Sequence, residues 1–204
     1  MRRSRPDALP AEIVSALEKQ FLAATTTLGA AAGASAAVPA VGTAAGVVVN
    51  LAEVGTFFEA AALFTLGVAH VHGVAVGDLE RRRTLLMAVM MGSSGASFVQ
   101  KAAGRSAPYW AKSIIQSIPM TAINNINSKL GPRFVTKYGT KQGILVLGRE
   151  IPLGIGAAIG AGGNAFLARA AIGGARSAFG PAPSSWPGGD SGPDAGTLAP
   201  VAPD

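Results

Sequence analysis

The chain has 204 residues and a mass of 20.4 kDa, with 49% hydrophobic side chains, 14% charged and a net charge of +6. That length holds one compact domain, or a domain with a tail, and the apolar content excludes disorder of the whole chain. Zero Cys and two His exclude disulfides, Cys-based zinc sites, a Cys nucleophile and a multi-His metal centre.

The charge is unevenly placed. Residues 1–100 are neutral overall, residues 101–176 carry +9 with Glu150 as their one acid, and residues 177–204 carry −3. A basic excess of this kind serves solubility, nucleic acid or an anionic membrane surface. Low charge density and high apolar content favour the membrane surface and make nucleic acid a poor partner.

Residues 1–10 read as a basic arm with Arg2, Arg3 and Arg5. Pro10 suits a first helical turn, and Ile13, Leu17, Phe21, Ala24 and Leu28 then recur at helical spacing. The pattern predicts an amphipathic helix over residues 10–28. From Gln20 to Ala52 no side chain is charged, a run of 33 residues. That is long enough to cross a bilayer, which needs about 20 apolar residues. The run is built mainly from Ala, Gly, Thr and Ser, with Pro39 inside it, so two small-residue helices meeting at Pro39 explain it equally well. Ala34-Ser35-Ala36 has the form of a signal-peptide cleavage site, but Glu12 and Glu18 stand where a basic region belongs.

Further charge-sparse runs cover Ala60–Gly77, Thr84–Gln100, Ser113–Ser128 and Ile151–Ala168. Each has the length of a helix in a compact bundle. Asp78 is placed to cap a helix carrying Leu79, Leu86 and Met90. Ile115, Ile118, Ala122, Ile126 and Leu130 form another apolar stripe, with a kink expected at Pro119 and a stop at Gly131-Pro132. Ile144–Leu147 is the one strand candidate, and a helical turn accounts for it as well. The expected fold is all-α, a bundle of about six Ala/Gly-rich helices over residues 11–179. The segment 180–204 holds six of the 13 prolines and three Asp, which predicts a disordered tail with Trp186 as an incidental residue.

Gly29-x-x-x-Gly33, Gly42-x-x-x-Gly46 and Gly156-x-x-x-Gly160 put glycines one turn apart. Such pairs let helix backbones approach closely, in membranes and in tight bundles alike. The glycines at 154, 156 and 160 imitate a dinucleotide fingerprint but lack the preceding strand and the following acid, so no cofactor is expected. No Walker A or G-x-S-x-G sequence occurs. His70 and His72 point about 200° apart on a helix and cannot share a metal. Glu53 and Glu59 lie on different helix faces. An enzymatic alternative, a soluble hydrolase-like bundle, would need Glu53 or Glu59 beside His70.

Arg81, Arg82 and Arg83 form a basic run at a helix start. Lys129, Arg133, Lys137 and Lys141 recur every four residues with Phe134, Val135 and Tyr138 between them. That is the pattern of an interfacial helix whose cations reach phosphates, and these seven residues are the candidate lipid contacts.

Several segments together resemble the EcsC family. They are His72-Gly73 followed by residues 78–83 and Leu85-Leu86 to Gly92, then Ile123 to Leu130, then Lys137 to Lys141. The last is Ile151-Pro152-x-Gly154-x-Gly156-Ala157-x-Ile159-Gly160-x-x-x-Asn164, with Ala175 to Phe179 closing the final helix. The resemblance spans residues 15–179. It implies a mostly helical bacterial protein at the cytoplasmic face of the cell membrane, peripheral or partly embedded, with an accessory role beside an ABC-type transport system and a membrane-protein partner. It supplies no catalytic residues. The Ala-rich first half and the acidic tail depart from the family pattern.

Overall fold

The structure, a computed structural model, describes residues 7–35, 43–104, 106–149 and 155–187. The arm as far as Pro6, Pro39, Gly42, Ile151 to Gly154 and the tail beyond Pro187 lie outside them. All regular structure among the described residues is helical, in a compact all-α bundle. The helices are α1 (Pro10–Ser35), α2 (Thr43–Val71), α3 (Leu79–Met91), α4 (Ser93–Ala102), α5 (Met120–Arg149) and α6 (Ile155–Phe179), with one π-helical turn at Ala111–Ile115.

The centre of the bundle is α3, which touches α2, α4, α5 and α6. Thr84, Leu85 and Met87 to Met91 are all buried. Asp78 caps it as expected, its Oδ1 accepting from the Arg81 backbone N–H at 2.8 Å. Leu79, in the first turn, stands 74% exposed.

The charge-sparse run Thr84–Gln100 is two helices rather than one. Gly92 ends α3 at φ +64°, a conformation that glycine alone adopts without penalty. The run Ser113–Ser128 is also divided. Its first part is the π turn, and Pro119 starts α5, its carbonyl accepting from the Ala122 and Ile123 N–H groups. Gly131-Pro132 does not stop α5, which runs through it to Arg149. Proline costs a helix its own N–H bond. Here the flanking turns are anchored to α3 through Asn127 and Tyr138, and Pro132 is on the exposed side. The strand candidate Ile144–Leu147 lies within this helix.

Helix α1 runs seven residues beyond the expected end at Leu28 and packs chiefly on α6. Its buried positions include Ile13, Phe21 and Ala32, with Thr25 in place of Ala24. Phe21 stacks on Phe64 of α2 with ring centroids 4.8 Å apart. Glu18 holds Arg176 of α6 through two hydrogen bonds of 2.8 and 2.6 Å. The glycine motifs contribute where α1 crosses α6. A Cβ on Gly29 would overlap the Gly160 carbonyl, and Gly33 and Gly160 are buried. Gly46 lies in α2 and Gly156 in α6.

The chain does not leave the bundle at Phe179. Residues 180–187 turn back, and Trp186 donates its indole N–H to the Ala8 carbonyl at 3.0 Å. This tryptophan ties the two ends of the described chain together.

Two glycines separate the packing reading from helix propensity. Gly29→Ala forces apart the α1–α6 backbones and should lower the unfolding free energy by about 1–3 kcal/mol. Gly55, in α2, has open space at its Cβ position, so Gly55→Ala should raise stability by about 0.5–1 kcal/mol. Urea titration of both variants measures the contrast.

Candidate functional site

Six of the seven cations expected at a lipid surface are divided by the fold into two sets. One set is consumed by structure. Arg81, half-buried, donates to the Ile115 carbonyl and, at 2.7 Å, to the Ile118 carbonyl, while its Nε sits 2.9 Å from Asp78. It therefore satisfies carbonyls at the end of the π turn. Arg82 donates to the carbonyls of Val76 at 2.7 Å and Gly77 at 3.3 Å, clamping the loop before α3. Lys137 donates to the Met91 carbonyl at 3.0 Å. Beside it the Tyr138 hydroxyl donates to the Met90 carbonyl at 2.5 Å. These bonds satisfy carbonyls that the end of α3 leaves without helical donors, and the lysine charge suits that negative helix end.

Three others, Arg83, Lys129 and Arg133, are free of such ties. All three are exposed. Lys141 lies in α5, with its side chain outside the description. Lys129 and Arg133 meet Lys101 of α4 along a groove of about 670 Å³ between α4 and α5. Ser94, Ser97, Phe98, Lys101 and Ala102 come from one face of α4; Ala122, Asn125, Ile126, Lys129 and Arg133 come from one face of α5. Both sets follow i, i+3, i+4 spacing, which places them in line along each helix. No acid lines the groove. The Arg133 guanidinium lies 5.2 Å from the centre of the Phe98 ring, a cation–π contact that holds it at the groove wall.

Arg83 faces a second groove of about 960 Å³ on the other side of α5. Phe58, Leu86, Met87, Phe134 and Val135 line it together with Glu80 and Asn127. Asn127 donates to Glu80 Oε2 at 2.7 Å and accepts from the Thr84 hydroxyl at 2.6 Å. This satisfied network ties α3 to α5 and leaves the groove with charges of both signs.

The enzymatic alternative has no assembled site. Glu53 is 3% exposed and accepts from Asn164 Nδ2 at 2.8 Å. The same amide donates to the Thr25 carbonyl at 3.1 Å, so this cluster joins α1, α2 and α6. Glu59 and His70 are exposed. All three acid–base candidates lie on α2, where a rise of 1.5 Å per residue separates Glu53 from His70 by about 25 Å and Glu59 from His70 by about 16 Å. The His72 ring packs 5.3 Å from Phe179, with Nδ1 2.9 Å from the Val68 carbonyl. No group of three metal-ligating side chains occurs among the described residues.

Sequence spacing missed Lys101, Ser97 and Asn125. Lys101 lies 28 positions before Lys129, and only the helix pairing brings them to one groove. The available signal was the excess of cations in residues 101–176 beside the Phe98–Lys101 turn. No family model matches the chain, and neither a curated protein nor a solved structure matches it.

Burial pushes the Tyr138 phenol above its ordinary value of 10. In the unfolded chain that proton leaves near pH 10, whereas the folded chain keeps it. Stability from this source is therefore complete below pH 10 and is lost as pH rises above it. Unfolding free energy should decline above pH 10 with a contribution of up to about 1.4 kcal/mol per pH unit. Denaturant titrations from pH 9 to 11 should show a shallower decline in Tyr138→Phe.

Proposed function

We propose that this protein is a membrane-associated helical accessory protein at the cytoplasmic face, similar to EcsC proteins and working beside an ABC-type transport system. The observation that carries the membrane association is the surface of α2. Ala52–Val71 has a mean hydropathy of 1.5, yet only 39% of its 18-residue window is buried in the fold. Leu63, at the middle of this segment, is 67% exposed. Apolar surface left uncovered favours transfer from water at roughly 25 cal/mol per Å². Glu59 and His70 share the exposed side, which supports contact with the interface over burial across the hydrocarbon core. The transporter link rests on the family resemblance alone.

Fractionation of native cells tests this reading. The protein should pellet with membranes at low salt and need alkaline carbonate or detergent for full release. Leu63→Glu, placed on the surface, should shift it toward the supernatant without unfolding it. Recovery of the wild type in the soluble fraction at low salt contradicts the proposal.

A further inference from the structure

We infer that the groove between α4 and α5 is a seat for the phosphate of an anionic glycerophospholipid headgroup. This deepens the membrane reading and rests on it. Three cations from two helices converge there, Lys101 with Lys129 and Arg133, and the lining contains no carboxylate to neutralise them. Lys129 and Arg133 stand one helical turn apart on α5, an arrangement of like charges that weakens an isolated helix. An anion between them removes that repulsion.

The rest of the lining narrows the chemistry. Arg133 offers a planar fork suited to two phosphate oxygens, and the lysines add charge without a fixed geometry. Ser97 and Asn125 supply neutral polar groups beside them. A tetrahedral phosphate uses donors arriving from several directions, as two helices and three cations provide. Phe98, Ala102, Ala122 and Ile126 form the apolar part of the same groove. That surface suits the glycerol and first methylenes of a lipid and gives nothing to a bare inorganic ion. The neighbouring groove around Glu80 and Arg83 carries a carboxylate at its wall, which disfavours the same ligand.

The test uses the full chain and vesicles of phosphatidylcholine with or without phosphatidylglycerol. Cosedimentation should require the anionic lipid. K129Q/R133Q should weaken capture about twenty-five-fold, given about a fivefold effect for each cation near an anionic surface. The charge-matched control K19Q/R169Q removes two exposed cations outside the groove and should weaken capture less than threefold. Circular dichroism should show both variants folded, since all four side chains are exposed. Equal losses in the two variants would make the attraction diffuse and overturn the site. Thermal stabilisation by soluble glycerol 3-phosphate without vesicle capture would assign the groove to a soluble phosphate ester and overturn the lipid source. Capture by neutral and anionic vesicles alike, unchanged in K129Q/R133Q, would sink the groove while leaving the apolar α2 contact standing.

Discussion

The fold depends on how the C-terminal end of α3 is buried. Helix ends expose carbonyls that need donors, and here they lie deep in a bundle. Gly92 turns the chain and returns its N–H to the Val89 carbonyl at 3.0 Å. Tyr138 and Lys137 reach from α5 to the next two carbonyls. Two glycines complete the enclosure. A side chain on Gly95 of α4 would overlap the Ala88 backbone, and one on Gly174 of α6 would overlap the Val89 carbonyl. The neighbouring helices therefore press backbone against backbone at this one point, and the short α3 can serve as the centre of the bundle.

That arrangement divides α5 between two tasks. Asn127, Tyr138 and Lys137 bind it to α3 at two places. The contacts are separated by ten or eleven residues on each helix, so α3 and α5 run side by side in the same direction. The helix is held on both sides of Pro132, which explains how it survives a residue that breaks isolated helices. Lys129 and Arg133 are left on the opposite flank, facing α4. The anchored helix thus presents these cations to a groove that no carboxylate lines. The exposed side of α2 is mixed in character, with Leu63 beside Glu59 and His70.

Much of this was legible in residue patterns. The Asp78 cap, the buried stripe through Ile115, Ile126 and Leu130, and the close packing at Gly29 and Gly160 all follow from local spacing. What spacing could not show was pairing across the chain. Gly29 and Gly160 belong to separate motifs, yet they meet each other. Arg81, Arg82 and Lys137 look like surface cations because the carbonyls they satisfy are created elsewhere, by a π turn, a loop and a glycine break. Gly131-Pro132 signals a stop that α5 overrides, because the tertiary contacts that hold it lie on another helix. Trp186 looked incidental in a segment rich in proline, and only the return of the chain toward Ala8 gives it a partner.

Hydrogen–deuterium exchange, measured with and without anionic vesicles, tests the division of α5 most directly. Residues 85–91 should exchange most slowly in both conditions, because their surroundings open only with global unfolding. Vesicles should add protection over residues 94–101 and 125–133, with no change in α3. Rapid exchange throughout α3, or vesicle protection confined to helices other than α4 and α5, would contradict the account.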